Sequence, residues 1–311
     1  MLPGRFDVRP DRARPGRLRR LVVALALCCA PAMTLAWGPV GHQAVGAVAD
    51  RLLTPATQAA VAELLADDRD RDGKPSGRRS LAEIAGWADE IRGEAGDHPH
   101  WHFDNQPVCQ RNRPASSWCA QGECASAEIS AQLAILADRK RSRSERNEAL
   151  KWVAHLAGDL HQPLHAADFA EGGNLIHLTP HGRPQRSHSS RRGESLHAFW
   201  DTRLVTLALH PSRGTIPARS MKRLMQEAQA EDPAMLSKSP NQWAAESNEL
   251  ARSFALNIEG IDCNLEHARR FPVVTLSDDY VAAAKKIVEQ RLALAGARLA
   301  FVLNQALGEQ R

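Results

Sequence analysis

The chain has 311 residues, 43% of them hydrophobic, and a formal net charge of +4, enough for one large domain or two small ones. Residues 1–36 hold seven Arg against two acidic residues, so the remaining chain is close to −1. A surface generally coated with cations, as a bulk nucleic-acid-coating protein requires, is thereby excluded. The first expected element is an export signal at 1–36: the basic "MLPGRFDVRPDRARPGRLRR", the apolar "LVVALALCCAPAM" and the small-residue "TLA". Its apolar run is too short for a spanning helix, which needs roughly 20 residues, and no later segment is long and apolar enough either. Cleavage is expected after Ala36, leaving a mature chain from Trp37 in the periplasm or the medium.

Apolar residues at helical spacing then recur at about 43–66, 80–92, 126–138, 145–162, 195–209, 218–229, 240–258 and 277–306. Thr54 before Pro55 makes a favourable helix start, and Ser80 with Glu83 reads as a capping box. The best extended candidate is "NLIHLTP" at 174–180, and a single Tyr in the chain argues against a large sheet. Polar stretches at 67–80 and 181–195 read as surface loops, the second either simply solvated or a basic lip for an anionic substrate. The expected fold is all-α, one helical domain over 37–311 with at most a short β-hairpin.

Cys28 and Cys29 leave with the signal, and Cys109, Cys119, Cys124 and Cys263 remain. An even number in an exported chain points to two disulfides, with three pairings open. In one of them Cys119 and Cys124 close a small loop and Cys109 ties the early chain to Cys263. A zinc site built from the four is disfavoured by their spacing.

The stretch "VAHLAGDLHQPLH" (153–165) sets three imidazoles and one carboxylate among apolar residues. His155 and Asp159 are four apart, on one helix face, and Pro163 is expected to end that helix near Gln162, freeing His165 to turn back. "LHAFWDT" repeats the spacing with His197 and Asp201, while "WADEIR", "WHFDN" and "WGPVGH" add Asp89, His102 and His42. Imidazole nitrogen and carboxylate oxygen suit zinc, and this many candidates exceed what one ion takes, so either several of them are ordinary or the site holds more than one metal.

Together "WGPVGH", "WADEIR", "WHFDN", "HLAGDLHQPLH", "GGN" and "LHAFWDT" resemble the zinc-dependent single-strand-specific nucleases first known from fungi, which share an all-α fold with bacterial zinc phospholipase C. The resemblance implies three zinc ions. Asp89, His102, His155 and Asp159 would hold one. Asp159, His42 and the α-amino and carbonyl groups of Trp37 would hold a second nearby, and His165, His197 and Asp201 the third. Because the amine must be free, cleavage after Ala36 would complete the site. The implied reaction is hydrolysis of single-stranded DNA and RNA to 5′-mononucleotides, with possible 3′-nucleotidase action, by a monomer that uses a water bridging the close ions as nucleophile.

Arg92, one helical turn from Asp89, is placed to offer donors to the developing charge, and Asn174 of "GGN" resembles the position contacting the scissile phosphate. Phe103 is the candidate base-stacking platform. Asn105 stands where family members often carry Asp at the base edge, which leaves base preference open. His161 is assigned to packing, and His98, His100, His177, His181 and His188 receive no role. Two other readings are weighed: a zinc phospholipase C, which tends to use Glu at the position of Asp201, and a non-catalytic periplasmic zinc- or nucleic-acid-binding protein.

Overall fold

A computed structural model describes residues 37–179, 193–268 and 270–308; the expected export signal and most of the basic 181–195 stretch lie outside the described residues. The helices begin with α1 (Pro39–Leu52) and α2 (Pro55–Leu65), then the single turns α3 (Leu81–Ile84) and α4 (Trp87–Glu90). The longer α5 (Ala125–Ala137) and α6 (Arg143–Asp159) follow. Next, α7 (Leu196–Ala198) runs through a π-helical stretch at Phe199–Leu204 into α8 (Val205–Leu209). The remainder is α9 (Ala218–Ala230), α10 (Pro233–Leu236), α11 (Pro240–Leu250), α12 (Asn264–Ala268) and α13 (Asp278–Leu307). The all-α expectation holds.

The boundaries depart from periodicity where local chemistry intervenes. The 43–66 segment breaks at Leu53, and Thr54 Oγ1 accepts the N–H of Thr57 to start α2, as its Thr-Pro pair predicts. The 80–92 segment is interrupted at Gly86, giving two short turns instead of one helix. The Ser80–Glu83 capping box does not form. Asp50 of α1 instead accepts the N–H groups of Leu81 and Ala82, at 2.9 and 3.2 Å, and Glu83 turns back to the N–H of Arg79. A carboxylate from a neighbouring helix thus outcompetes the local cap, and in doing so fixes α3 against α1. An unforeseen capping box at Ser142–Glu145 starts α6.

Among the described residues the one sheet is β1 (His177–Leu178) paired with β2 (Val273–Val274), in parallel. The extended stretch predicted at 174–180 is therefore present but pairs with a distant segment rather than as a hairpin. Disulfides join Cys109 to Cys263 and Cys119 to Cys124. The former ties the segment after His102 to the chain leading into β2.

The 30-residue α13 is the spine, packed along α1, α6, α8 and α9. Its buried Leu292, Leu299 and Leu303 join Val45 and Val48 of α1 and Leu150 and Leu156 of α6 in one continuous core. Trp37, Trp152, Trp200 and Trp243 are almost fully buried in that core. This core holds α6 rigidly in the middle of the molecule. No helix among the described residues is long and apolar enough to cross a membrane.

Candidate metal centre

The last turns of α6 carry His155 and Asp159, both fully buried. His155 Nδ1 donates to the carbonyl of Ala85 at 2.8 Å, which aims Nε2 at His102 Nδ1 (2.9 Å) and Asp159 Oδ2 (3.0 Å). His102 Nδ1 is 3.0 Å from the same carboxylate oxygen. The other oxygen, Oδ1, faces His42 Nε2 at 3.3 Å. Asp159 therefore sits between two imidazole groups and offers one oxygen to each. Asp89 of α4 lies 3.8 Å from His42 Nε2 and 3.9 Å from His155 Nε2, and Arg92 pairs with it at 2.8 Å.

Close packing leaves no slack on this face. A Cβ added to Gly158 would lie 2.8 Å from His42 Nδ1 and 3.6 Å from Trp37 Cδ1, so glycine here lets the α1 imidazole reach the α6 cluster. Trp37 is fully buried, and the N–H of the next residue, Gly38, donates to the carbonyl of Asp201 at 2.8 Å.

A second cluster forms where α6 has ended. The helix stops at Asp159, three residues earlier than the Pro163 argument predicts, and a 3₁₀ turn over Pro163–Ala166 carries His165. His165 Nδ1 donates to the carbonyl of His102 (2.9 Å), and His197 Nδ1 to the carbonyl of Gly172 (2.7 Å). Their Nε2 atoms then face each other at 3.2 Å, with His197 Nε2 3.2 Å and His165 Nε2 3.7 Å from the carboxylate of Asp201. Gly172 has φ of +63°, and a Cβ there would lie 2.8 Å from the carbonyl oxygen of Leu164, so the "GGN" turn needs glycine to support His197.

These contacts test whether a metal ion fits. His165 and His197 already donate through Nδ1, so their facing Nε2 atoms meet lone pair to lone pair unless a positive charge lies between them. A tetrahedral ion with bonds of 2.0–2.1 Å sets its ligand atoms about 3.3 Å apart, and the edges seen here run from 2.9 to 3.9 Å. His42 Nε2, Asp159 Oδ1 and Asp201 Oδ2, which face into these clusters, are buried without a hydrogen-bond partner among the described residues. Three groups satisfy the requirement: His42, Asp89 and His155; His102, His155 and Asp159; His165, His197 and Asp201. The residues present fit metal ions.

The electrostatics agree. Burial pushes the Asp159 carboxyl up, but His155 and the hydrogen bonds of His102, His155 and His42 hold it well below the usual carboxylate range. Burial pushes the His155 imidazole down, but Asp159 and Asp89 overcome this and bring it up to about 8. His102 is driven down to about 4, chiefly by burial, and burial together with His155 lowers His42. Against burial, His197 and the hydrogen bonds of His165 and His197 lower Asp201.

The structure brings together Trp37, His42, Asp89, Arg92, His102, His155, Asp159, His165, His197 and Asp201. Phe103 is half-buried, its ring centre 4.9 Å from that of His165, and so stands at the edge of the second cluster. Asn105 is exposed two residues on. Asn174 is half-buried and turns its amide to the carbonyl of Glu171, next to the glycine that supports His197. His161 is a packing residue, donating from Nδ1 to Ala157 and accepting Arg298 at Nε2. His98 stacks on Trp101, and His181 and His188 lie outside the described residues.

Two supporting residues escape the sequence reading. Gln162, fully buried, donates from Nε2 to Asp201 Oδ1 and accepts the N–H of Leu164 at Oε1, both at 2.6 Å. Buried Asp104 accepts the N–H and hydroxyl of Ser126 while its own N–H donates to His165, tying the start of α5 to the second cluster. Gln162 lies within the "HQPLH" motif, but nothing in its spacing marks its partner.

Comparison with known proteins accords with this geometry. The S1/P1 Nuclease family profile matches residues 37–308. Endonuclease 3 of Arabidopsis thaliana is 30% identical over 292 residues, covering 89% of this chain and 91% of that protein. Nuclease S1 of Aspergillus oryzae is 26% identical over 310 residues (92% and 97%), and Nuclease P1 of Penicillium citrinum 30% over 171 residues (53% and 57%). The chain belongs to the S1/P1 nuclease family.

Proposed function

We propose that this nuclease is exported, binds three zinc ions, and hydrolyses single-stranded DNA and RNA to 5′-mononucleotides, with 3′-nucleotidase action at the same centre. The observation that carries the reading is the pair of facing Nε2 atoms of His165 and His197, which need a positive charge between them beside Asp201, together with the three imidazoles gathered on Asp159. Asp89, His102, His155 and Asp159 would hold one ion. His42 and Asp159, with the α-amino and carbonyl groups of Trp37, would hold a second, and His165, His197 and Asp201 the third. Export is supported by the two disulfides, which persist in oxidising compartments, and by the signal-like composition of residues 1–36. Cleavage after Ala36 leaves residues 37–311 as the mature domain.

When bound, zinc would lower the pKa of water toward neutrality and offer positive charge to the phosphoryl oxygens. The protein's own groups do the rest. Asp159, held ionised between His155 and His42, keeps the close pair of groups at a fixed separation. Arg92 is anchored by Asp89 at 2.8 Å, from where its guanidinium neutralises charge developing on the phosphate. Asn174, on the turn that supports His197, contacts the phosphate region. Phe103 stacks a base, which must first be splayed out, so paired strands are disfavoured; Asn105 meets the base edge.

The test compares release of 5′-mononucleotides from denatured DNA with release of phosphocholine from lecithin. The reading expects the first and little of the second. Phosphocholine release alone would assign a phospholipase C, and neither product a binding protein.

A further inference from the structure

We propose that the groove between α8, α9 and α13 is a docking track for the phosphate backbone of single-stranded polynucleotide flanking the linkage to be cut. The proposal rests on the nuclease reading above and names a second contact for the same substrate. The groove encloses about 540 Å³ and sets four cations, Arg219, Arg223, Lys285 and Lys286, against the single carboxylate of Glu289. That carboxylate is consumed. Arg223 takes it with two bonds, Nη2 to Oε1 at 2.6 Å and Nε to Oε2 at 3.2 Å, and reaches the carbonyl of Ala208 at 3.1 Å.

The floor of the groove is thus stitched together, whereas Arg219, Lys285 and Lys286 make no ion pair among the described residues. Arg219 and Lys286 are exposed and Lys285 is half-buried. Cations gathered along one groove without counter-charge repel one another, on a chain that is otherwise near neutral beyond residue 36. A polyanion relieves that repulsion along its length, as grooves that track single strands do.

Placement agrees with a flanking role. Leu207 and Ala208 line the groove on the same helical run that carries His197 and Asp201. Seven residues separate Asp201 from Ala208, about 10 Å of helix axis. One rigid rod therefore joins the metal-binding cluster to the track. A dinucleotide held at the cluster is too short to use it, and a longer strand is not.

The test uses the processed, metal-loaded protein and a Lys285→Glu/Lys286→Glu variant. Binding of a phosphorothioate oligothymidylate is read by fluorescence anisotropy across a salt series, and hydrolysis of dithymidylate is read in parallel. The expected result is a Kd for the oligonucleotide roughly tenfold higher, with the slope of log Kd against log salt reduced by about 1.4 for two lost phosphate contacts. Dithymidylate turnover stays at the wild-type rate, which also shows that the variant is folded. Unchanged affinity and slope overturn the track, as does loss of dithymidylate turnover together with oligonucleotide binding. If the wild type binds phosphatidylglycerol vesicles through these lysines and not the oligonucleotide, the groove is assigned to lipid and the proposal fails. Because binding is measured without cleavage, its outcome is separate from whether the protein is a nuclease.

Discussion

His165 and His197 meet through Nε2 atoms 3.2 Å apart while each Nδ1 donates to a backbone carbonyl, so a proton or a metal ion must lie between them. With Asp201 as the third member, this group shares no side chain with the two groups around Asp159. His197→Ala is therefore expected to remove one ion per chain and leave the others, with single-strand hydrolysis reduced on the order of 100-fold or more. Elemental analysis of wild type and variant checks it, and an unchanged ion content would remove His197 from the ligand set.

Gln162 fixes which oxygen of Asp201 is left for an ion, because its amide occupies Oδ1 at 2.6 Å. Gln162→Met keeps the volume but leaves Oδ1 buried without that donor, a cost of about 1–3 kcal/mol. The ion held with His165 and His197 should bind roughly 10–100-fold more weakly. Competition against a chelator reads this directly, and the ions near Asp159 should exchange as in the wild type.

Trp37 lies against Gly158 and next to His42, at the expected processing point. A form retaining one extra residue before Trp37 lacks the free amine there. It should lose the ion shared by His42 and Asp159 and nearly all activity on denatured DNA. Full ion content and full activity in the extended form would show that the amine is not a ligand.

Metal binding should release protons at neutral pH. His155, raised to about 8 against burial by Asp159 and Asp89, is protonated there in the metal-free protein and must become neutral to act as a ligand. His102, driven down to about 4 by burial, is already neutral and contributes none. Affinity should therefore rise with pH through about 8 and level off above roughly pH 9. Calorimetry in buffers of different ionisation enthalpy measures the released protons.

Much of the candidate site was legible because its His and Asp side chains sit in local patterns. The pairs His155–Asp159 and His197–Asp201 each share one helical run, so spacing alone puts both members on one face. What spacing hides is every contact made across the chain. Asp50 capping α3, Asp104 holding the start of α5 and Gln162 holding Asp201 are separated from their partners by between 22 and 39 residues. The β1–β2 pairing and the neutral His161 accepting from Arg298 are likewise decided by tertiary packing. Propensity sums over a window do not see it.

The most direct test is the zinc content of the processed protein, measured by inductively coupled plasma mass spectrometry and paired with a digest of denatured DNA before and after exhaustive chelation. The account predicts three zinc ions per chain, two in the cluster around Asp159 and one held by His165, His197 and Asp201, and activity that vanishes with the chelator and returns with zinc. A protein that holds no tightly bound transition ion, or that cuts denatured DNA equally well after chelation, would contradict it.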